Sequence, residues 1–463
     1  MKRLVITLLC AVLGACAASP GQHETITAPA SEPPMLDAWR ELLGDENLFA
    51  LVRRSLQAGP DLRIAAANLR KSRALLRESL GTRYPSTEVQ VGSTIDETSN
   101  DPSSDRPDVF SGGLALAYDF DVAGRRRNSI DAARADAAAE RAAYENIQLQ
   151  VAAETIRAYT DACSLDQQIE LSLRIQASQK RTLELVEKRV AAGQDAALEA
   201  SLARGQLEQL SAALPSLQAD RAAALLRLAA LSGSSPAQAG HEAFACSALP
   251  QLDVRLPAGT DLDGAMLIAS RPDLREGELR VRAALARIGV ANAEFYPRVT
   301  LGARVGAGGE TMRSVGFQWS LSPLISWTFP NRIAAESRLQ QAEAEHEAVF
   351  AQWDRAVLLA LRDIETALVR RTREQERWAT LARARDAYGE ASRRAETRYR
   401  VGSDNILGVL EAQRRLSQTE AELAVSAARI VESQLALFVA LGGVRCCRST
   451  WVNHPRCIVR SDH

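Results

Sequence analysis

Apolar and polar residues alternate strictly in four short stretches of this chain, and that period of two predicts strands with one apolar face. From Arg298 to Gly308, Val299, Leu301, Ala303, Val305 and Ala307 alternate with Arg298, Thr300, Gly302, Arg304 and Gly306. From Ser314 to Ser320, Val315, Phe317 and Trp319 form the apolar set. Earlier, Leu114, Leu116, Tyr118 and Phe120 oppose Gly113, Ala115, Ala117 and Asp119, and Val89, Val91 and Ile95 oppose Glu88, Gln90 and Thr94. Each stretch is about 10 residues, the length that crosses a bilayer as a tilted strand. Tyr118, Phe120, Trp327 and Phe329 lie where each hairpin returns to helical sequence, as an aromatic girdle would. A soluble sheet would also alternate, but nothing else in the chain is free to cover the apolar face.

The remaining pattern is helical and very long. Arg125 to Ala192 runs 68 residues without Gly or Pro, and Asn331 to Val401 runs 71 with only Gly389 interrupting. At the α-helical rise these are roughly 100 Å long, which predicts coiled-coil packing. Alone, such helices fit a soluble structural coiled coil equally well; the strands are what argue for a membrane. A shorter helix opens each half, beginning near Leu36 and Leu262 and stopping at Tyr84-Pro85 and Tyr296-Pro297, because proline disfavours a helical residue before it.

The two halves are one unit written twice. Pro60-Asp61-Leu62-Arg63 recurs 212 positions on as Pro272-Asp273-Leu274-Arg275, and Tyr84-Pro85 recurs at the same offset. Gly193-Gln194-Asp195 matches Gly402-Ser403-Asp404 at an offset of 209. The division this predicts is 1–15 signal peptide, 16–35 linker, 36–233 first repeat, 234–261 inter-repeat segment at the equator, 262–443 second repeat and 444–463 polar tail. Each repeat reads helix, strand pair, very long helix, turn, long helix. Four strands cannot close a barrel. Two copies give eight strands and a filled interior, three give twelve and the first open lumen, and four also close. The count favours a trimer.

Net charge is −1 with no long basic block, which excludes nucleic acid as an expected partner. Lys2 and Arg3 precede the apolar run Leu4 to Val12, too short to span a bilayer but suited to a secretory signal. Beyond it no unbroken run of 18 apolar residues occurs. Leu13-Gly14-Ala15-Cys16 resembles the lipobox of bacterial lipoproteins, which implies cleavage before Cys16 and a covalent lipid on it. An ordinary signal peptide cut near Ala15 or Ala18 is the alternative. Ala17 stands where an inner-membrane retention signal would place Asp, so the outer membrane is the expected site.

Cys163 and Cys246 would both face an oxidising periplasm, so a disulfide between them is possible, though spacing alone does not establish it. Cys446, Cys447 and Cys457 lie in the tail with His454 and His463; this is weak evidence for metal, and no metal site is expected. The five histidines sit beside no nucleophile motif or phosphate loop, so neither catalysis nor a cofactor is expected.

Taken together, these features resemble the TolC-like outer membrane factor family, and most closely its lipidated OprM/NodT branch, over roughly residues 36 to 443. The most specific signatures are Arg271-Pro272-Asp273, Phe295-Tyr296-Pro297-Arg298, Tyr399-Arg400-Val401-Gly402 with Leu410-Glu411-Ala412-Gln413, and Leu441-Gly442-Gly443. The tail departs from the family pattern after Gly443. The resemblance implies an α+β membrane protein: a homotrimer whose 12-strand β-barrel continues into a periplasmic α-helical barrel. It also implies a periplasmic adaptor, docked at Gly193, Gln194, Gly402 and Ser403, and an inner-membrane transporter of the resistance-nodulation-division type. By resemblance, the second-half turn forms the gate. Leu407 stands where the family has an apolar ring and Glu411 where it has an acidic, cation-selective one, and their spacing of four puts both on one helix face. Asp404 and Tyr399 stand where polar contacts hold adjacent coils. Two other readings remain open: the exit channel of a type I protein secretion system, and a periplasmic coiled coil without a pore.

Overall fold

The computed structural model describes residues 39–40, 42–94, 109–235, 246, 248–252, 270–309 and 315–443. Cys16 and the signal peptide, the linker, most of the inter-repeat segment and the tail cysteines lie outside the described residues. In the first half, α1 (Glu46–Ala58) and α2 (Pro60–Gly81) lead into β1 (Ser86–Thr94) and β2 (Val109–Phe120), then α3 (Arg125–Ala191), α4 (Ala197–Ser211) and α5 (Ala213–Leu231). The second half repeats the order with α6 (Pro272–Asn292), β3 (Arg298–Gly309), β4 (Gly316–Ser326), α7 (Ile333–Arg400) and α8 (Ile406–Ala440). The duplication is thus visible as geometry.

The two longest helices, 67 and 68 residues, fall within two residues of the Pro-free stretches, broken only by Gly389, that predict them. The opening helix of the first half differs from expectation. It breaks at Gly44, where φ is +55°, and again at Gly59. Asp45 starts α1 afresh, its Oδ1 accepting from the Asn47 and Leu48 amides at 2.9 and 3.3 Å. At Gly59 a Cβ would lie 2.6 Å from the Ser55 carbonyl, and Pro60 is pre-set for a new first turn. The helix after the first-half turn also divides, at Ala212, because Pro215 cannot continue a helix without losing a backbone bond.

Each half stacks one short helix on the end of another. A Cβ at Gly233, just past α5, would lie 2.8 Å from the Ala58 carbonyl, so α5 ends where α2 begins. Likewise a Cβ at Gly442, just past α8, would lie 2.5 Å from the Ser270 carbonyl, at the start of α6. The stacked pairs run beside the long helices: α3 packs against α2, α6, α5 and α4, and α7 packs against α6 and α8. The main core gathers at the level of these junctions, where Trp39, Leu48, Val52, Ile156, Leu437 and Phe438 are buried and the Trp39 and Phe438 rings meet edge-to-face at 4.8 Å. Cys163 of α3 is joined there to Cys246 of the inter-repeat segment by a disulfide.

α8 is long and apolar enough, by length and composition, to cross a membrane, although no unbroken apolar run spans it. Its apolar residues instead face protein: Val431, Leu435, Leu437 and Phe438 belong to the core.

The four strands form one antiparallel sheet in the order β1-β2-β3-β4. Register places Val89, Leu114, Val305 and Trp319 in one row and Phe120, Val299 and Ile325 in another, so all the apolar sets share one face. That face is bare: Val89 is 70%, Phe317 72% and Trp319 74% exposed. The opposite face is polar and its charges are paired. Arg298 bonds to Asp119, Thr300 donates to the same carboxylate at 2.6 Å, and Arg304 donates to Gln90, which donates to Glu88. Both outer strands, β1 and β4, keep a free edge.

Candidate functional site

Far along the chain from the sheet, the long helices end in two turns of identical construction. Gly193, at φ +71°, donates to the Val190 carbonyl at 2.9 Å, and Gln194 donates to the Arg189 carbonyl at 2.9 Å. Gly402, at φ +73°, donates to the Tyr399 carbonyl at 3.0 Å, and Ser403 donates to the Arg398 carbonyl at 2.9 Å. The left-handed glycine lets each helix close its last carbonyls and reverse. Gly193, Gln194, Gly402 and Ser403 are all exposed, and none of them is held by a side chain from the other half.

The offset of 209 carries Arg398 onto Arg189 and Asp404 onto Asp195, and both pairs form: Arg189 to Asp195 at 2.9 Å and Arg398 to Asp404 at 3.5 Å. Of the positions at which the two turns differ, one joins them to each other. Tyr399 takes the place of Val190, and it is 2% exposed. Its hydroxyl donates to the Asp195 carboxylate of the other half, while Arg189 donates to the Tyr399 carbonyl at 3.2 Å and stacks its guanidinium over the ring at 4.6 Å. Burial pushes the Asp195 carboxyl up, but the bonds from Tyr399 and Arg189 outweigh it and hold the group below its usual value. Burial, reinforced by Asp195, pushes the Tyr399 phenol up. These three residues fasten the second-half turn to the first.

The expected residues divide in role. Leu407 is 52% exposed, on the face of α8 left free when Ile406, Val409 and Leu410 pack against α3 and α4. Gln413 of the Leu410-Glu411-Ala412-Gln413 signature is buried, donating to Thr182 at 3.1 Å and to Glu396 at 2.9 Å, so it ties α8 to both long helices. Asp404 touches the Arg398 of its own turn rather than the first half. Glu411 is not a bare carboxylate. Arg414 binds both of its oxygens, at 2.8 and 2.6 Å, and Arg415 donates to one at 2.9 Å. The Arg414 guanidinium, then that of Arg415, holds the Glu411 carboxyl below the usual range.

Sequence reasoning missed Arg189 and Asp195 as members of the site. The signal was present, since the repeat offset already mapped Asp404 onto Asp195. It also missed Arg414 and Arg415, three and four residues from Glu411, the spacing at which helical ion pairs form. Among the described residues no cluster of His, Cys, Asp or Glu is placed to hold a metal ion.

Comparison with known proteins agrees with this geometry. The family described as "Outer membrane efflux protein" matches residues 51–234 and 265–443. Among relatives, the solvent efflux pump outer membrane protein SrpC of Pseudomonas putida is 28% identical, with 87% of each chain covered. The probable outer membrane lipoprotein SilC of Salmonella typhimurium is 24% identical, over 88% of this chain and 87% of its own. Among solved structures, the outer-membrane channel OprN superposes with a TM-score of 0.82 at 29% identity, over 91% of this chain and 95% of its own.

Proposed function

Because the chain belongs to the outer membrane efflux protein family, we propose that three copies of it close into a passive, gated duct whose constriction lies at the paired helix turns. The protein is the outer-membrane channel of an efflux pump. The observation that carries the trimer is the open sheet: four strands, free at both edges, with one bare apolar face and one charge-paired polar face. Lipid covers the first face and water fills a lumen behind the second only when neighbouring copies complete the barrel, and three copies supply twelve strands.

The lipobox supports acylation of Cys16. The exposed turns at Gly193, Gln194, Gly402 and Ser403 offer the docking points for a periplasmic adaptor. The resemblance of the sequence to lipidated family members supports a transporter of the resistance-nodulation-division type behind that adaptor. Energy comes from the transporter, and this protein supplies the path.

At the turns, Leu407 projects from the free face of α8, and three copies would bring three leucines together across a narrow opening. Replacing both Leu407 and Glu411 by Ala is expected to enlarge single-channel conductance in planar bilayers. Unchanged conductance from correctly assembled trimers would remove the gate from these residues.

A further inference from the structure

The side chains around Glu411 bear on what the duct admits. Glu411 carries one negative charge, and the two guanidiniums bound to it carry two positive charges. All three side chains lie on the same exposed face of α8 as Leu407, one and two turns farther along the helix. The face opposite is buried, with Val409, Leu410 and Gln413 inside, so the charges cannot turn inward. Of the neighbouring charges, Arg189 pairs with Asp195, Arg398 with Asp404 and Arg400 with Glu396, and Glu199 lies near Arg189 at the turns with one carboxylate oxygen buried rather than facing the lumen. The polar face of the sheet is also balanced, Arg298 against Asp119 and Arg304 linked through Gln90 to Glu88. At the first-half positions 209 residues earlier stand Leu202, Gly205 and Gln206, which carry no charge.

Resting on the gate assignment above, we propose that the constriction is a net-positive ring, in which Arg414 and Arg415 overcompensate Glu411, and that the open duct favours small organic anions such as carboxylates and phosphate esters. In each copy this cluster carries a surplus of one positive charge, and three copies bring the three clusters together at the narrowest level. There the lumen walls exclude part of the screening water, and a ring of guanidiniums lowers the barrier for anions while raising it for cations. Arg415 is the deciding residue. With Arg414 alone the pair would be neutral.

The test is the reversal potential of the full-length, membrane-extracted trimer in planar bilayers under a tenfold KCl gradient. The wild type is expected to pass chloride over potassium by about threefold or more. Arg415→Gln should bring the ratio near unity, and Arg414→Gln with Arg415→Gln should invert it. Replacing both by Lys keeps the charge and should keep the chloride preference. A potassium-preferring wild type, or a preference that the double Gln variant leaves in place while conductance changes, overturns the positive ring. If neither these variants nor Leu407→Ala alters conductance or selectivity in assembled trimers, the gate assignment fails, and this inference with it.

Discussion

The guanidinium of Arg271 donates to the carbonyl of Ala440 at 3.1 Å, joining two signature segments that lie 169 residues apart. Asp273 grips the same guanidinium from the other side, at 3.0 and 2.6 Å. The end of α8 is thereby capped by the residue that precedes α6, and the two helices stack as one. In the first half Gly59 holds the equivalent position, and close backbone approach does the work instead. Arg271→Ala leaves late α8 carbonyls without this donor and should cost about 2 kcal/mol. Arg271→Lys should recover only part, because an ammonium cannot hold Ala440 and both Asp273 oxygens together. Thermal unfolding of the purified protein measures this, and an Ala variant that melts with the wild type would disprove the cap.

The bond between Tyr399 and Asp195 should restrain the opening of the turns. Tyr399→Phe keeps the ring, its burial and its stacking under Arg189 but removes the donor. The second-half turn then loses a contact worth about 1–3 kcal/mol, since the acceptor is charged. Single-channel recordings should show longer or more frequent openings at unchanged folding stability of the remainder. Openings indistinguishable from wild type would mean the bond does not bear on the gate.

The same contact fixes the pH response of the turns. The Asp195 carboxyl is held below its ordinary value of 3.8, so its contribution is complete above that value and is lost as pH falls through the lowered one. The Tyr399 phenol is raised above 10.0, so its contribution is complete below that value and fades as alkali ionises it. Between about pH 5 and about pH 9 the clamp should not titrate. Conductance measured across that window is expected to be flat, with openings rising in stronger acid. Asp195→Asn should abolish the acid rise. A step near neutrality in the wild type would point to a different titrating group.

Much of this fold is legible in the sequence because its physics is local. A stretch without Gly or Pro that is about 100 Å long has no plausible form but a helix, and strict alternation fixes which strand residues share a face. What resisted reading depends on distant neighbours. Helical period continues on both sides of Gly59; Pro60 resets the first turn there, and the approach of the end of α5 fixes how the two helices meet. Tyr399 and Asp195 are 204 residues apart, and no spacing rule joins them. The pairing of Glu411 with Arg414 and Arg415 is different: helical spacing of three and four alone announces it.

The disulfide between Cys163 and Cys246 encloses the lower part of α3, the first-half turn, α4 and α5 in one loop, the two cysteines being 83 residues apart. The second half has no counterpart, since Thr372 stands where Cys163 maps at an offset of 209. One coil is therefore pinned at its base and the other is not. Cross-linking a loop of this size removes denatured-state freedom worth about 2–4 kcal/mol. Cys163→Ser with Cys246→Ser should lower stability by that order while leaving the turns, and so single-channel conductance, unaltered. Protein from cells unable to form periplasmic disulfides should match the double variant in melting temperature and, unlike the oxidised wild type, should be labelled by a thiol reagent at Cys163 and Cys246 after unfolding. Two thiols labelled in the unreduced, unfolded wild type at these positions would show that the bond does not form, whereas equal melting of wild type and double variant would show that it forms without stabilising the coil.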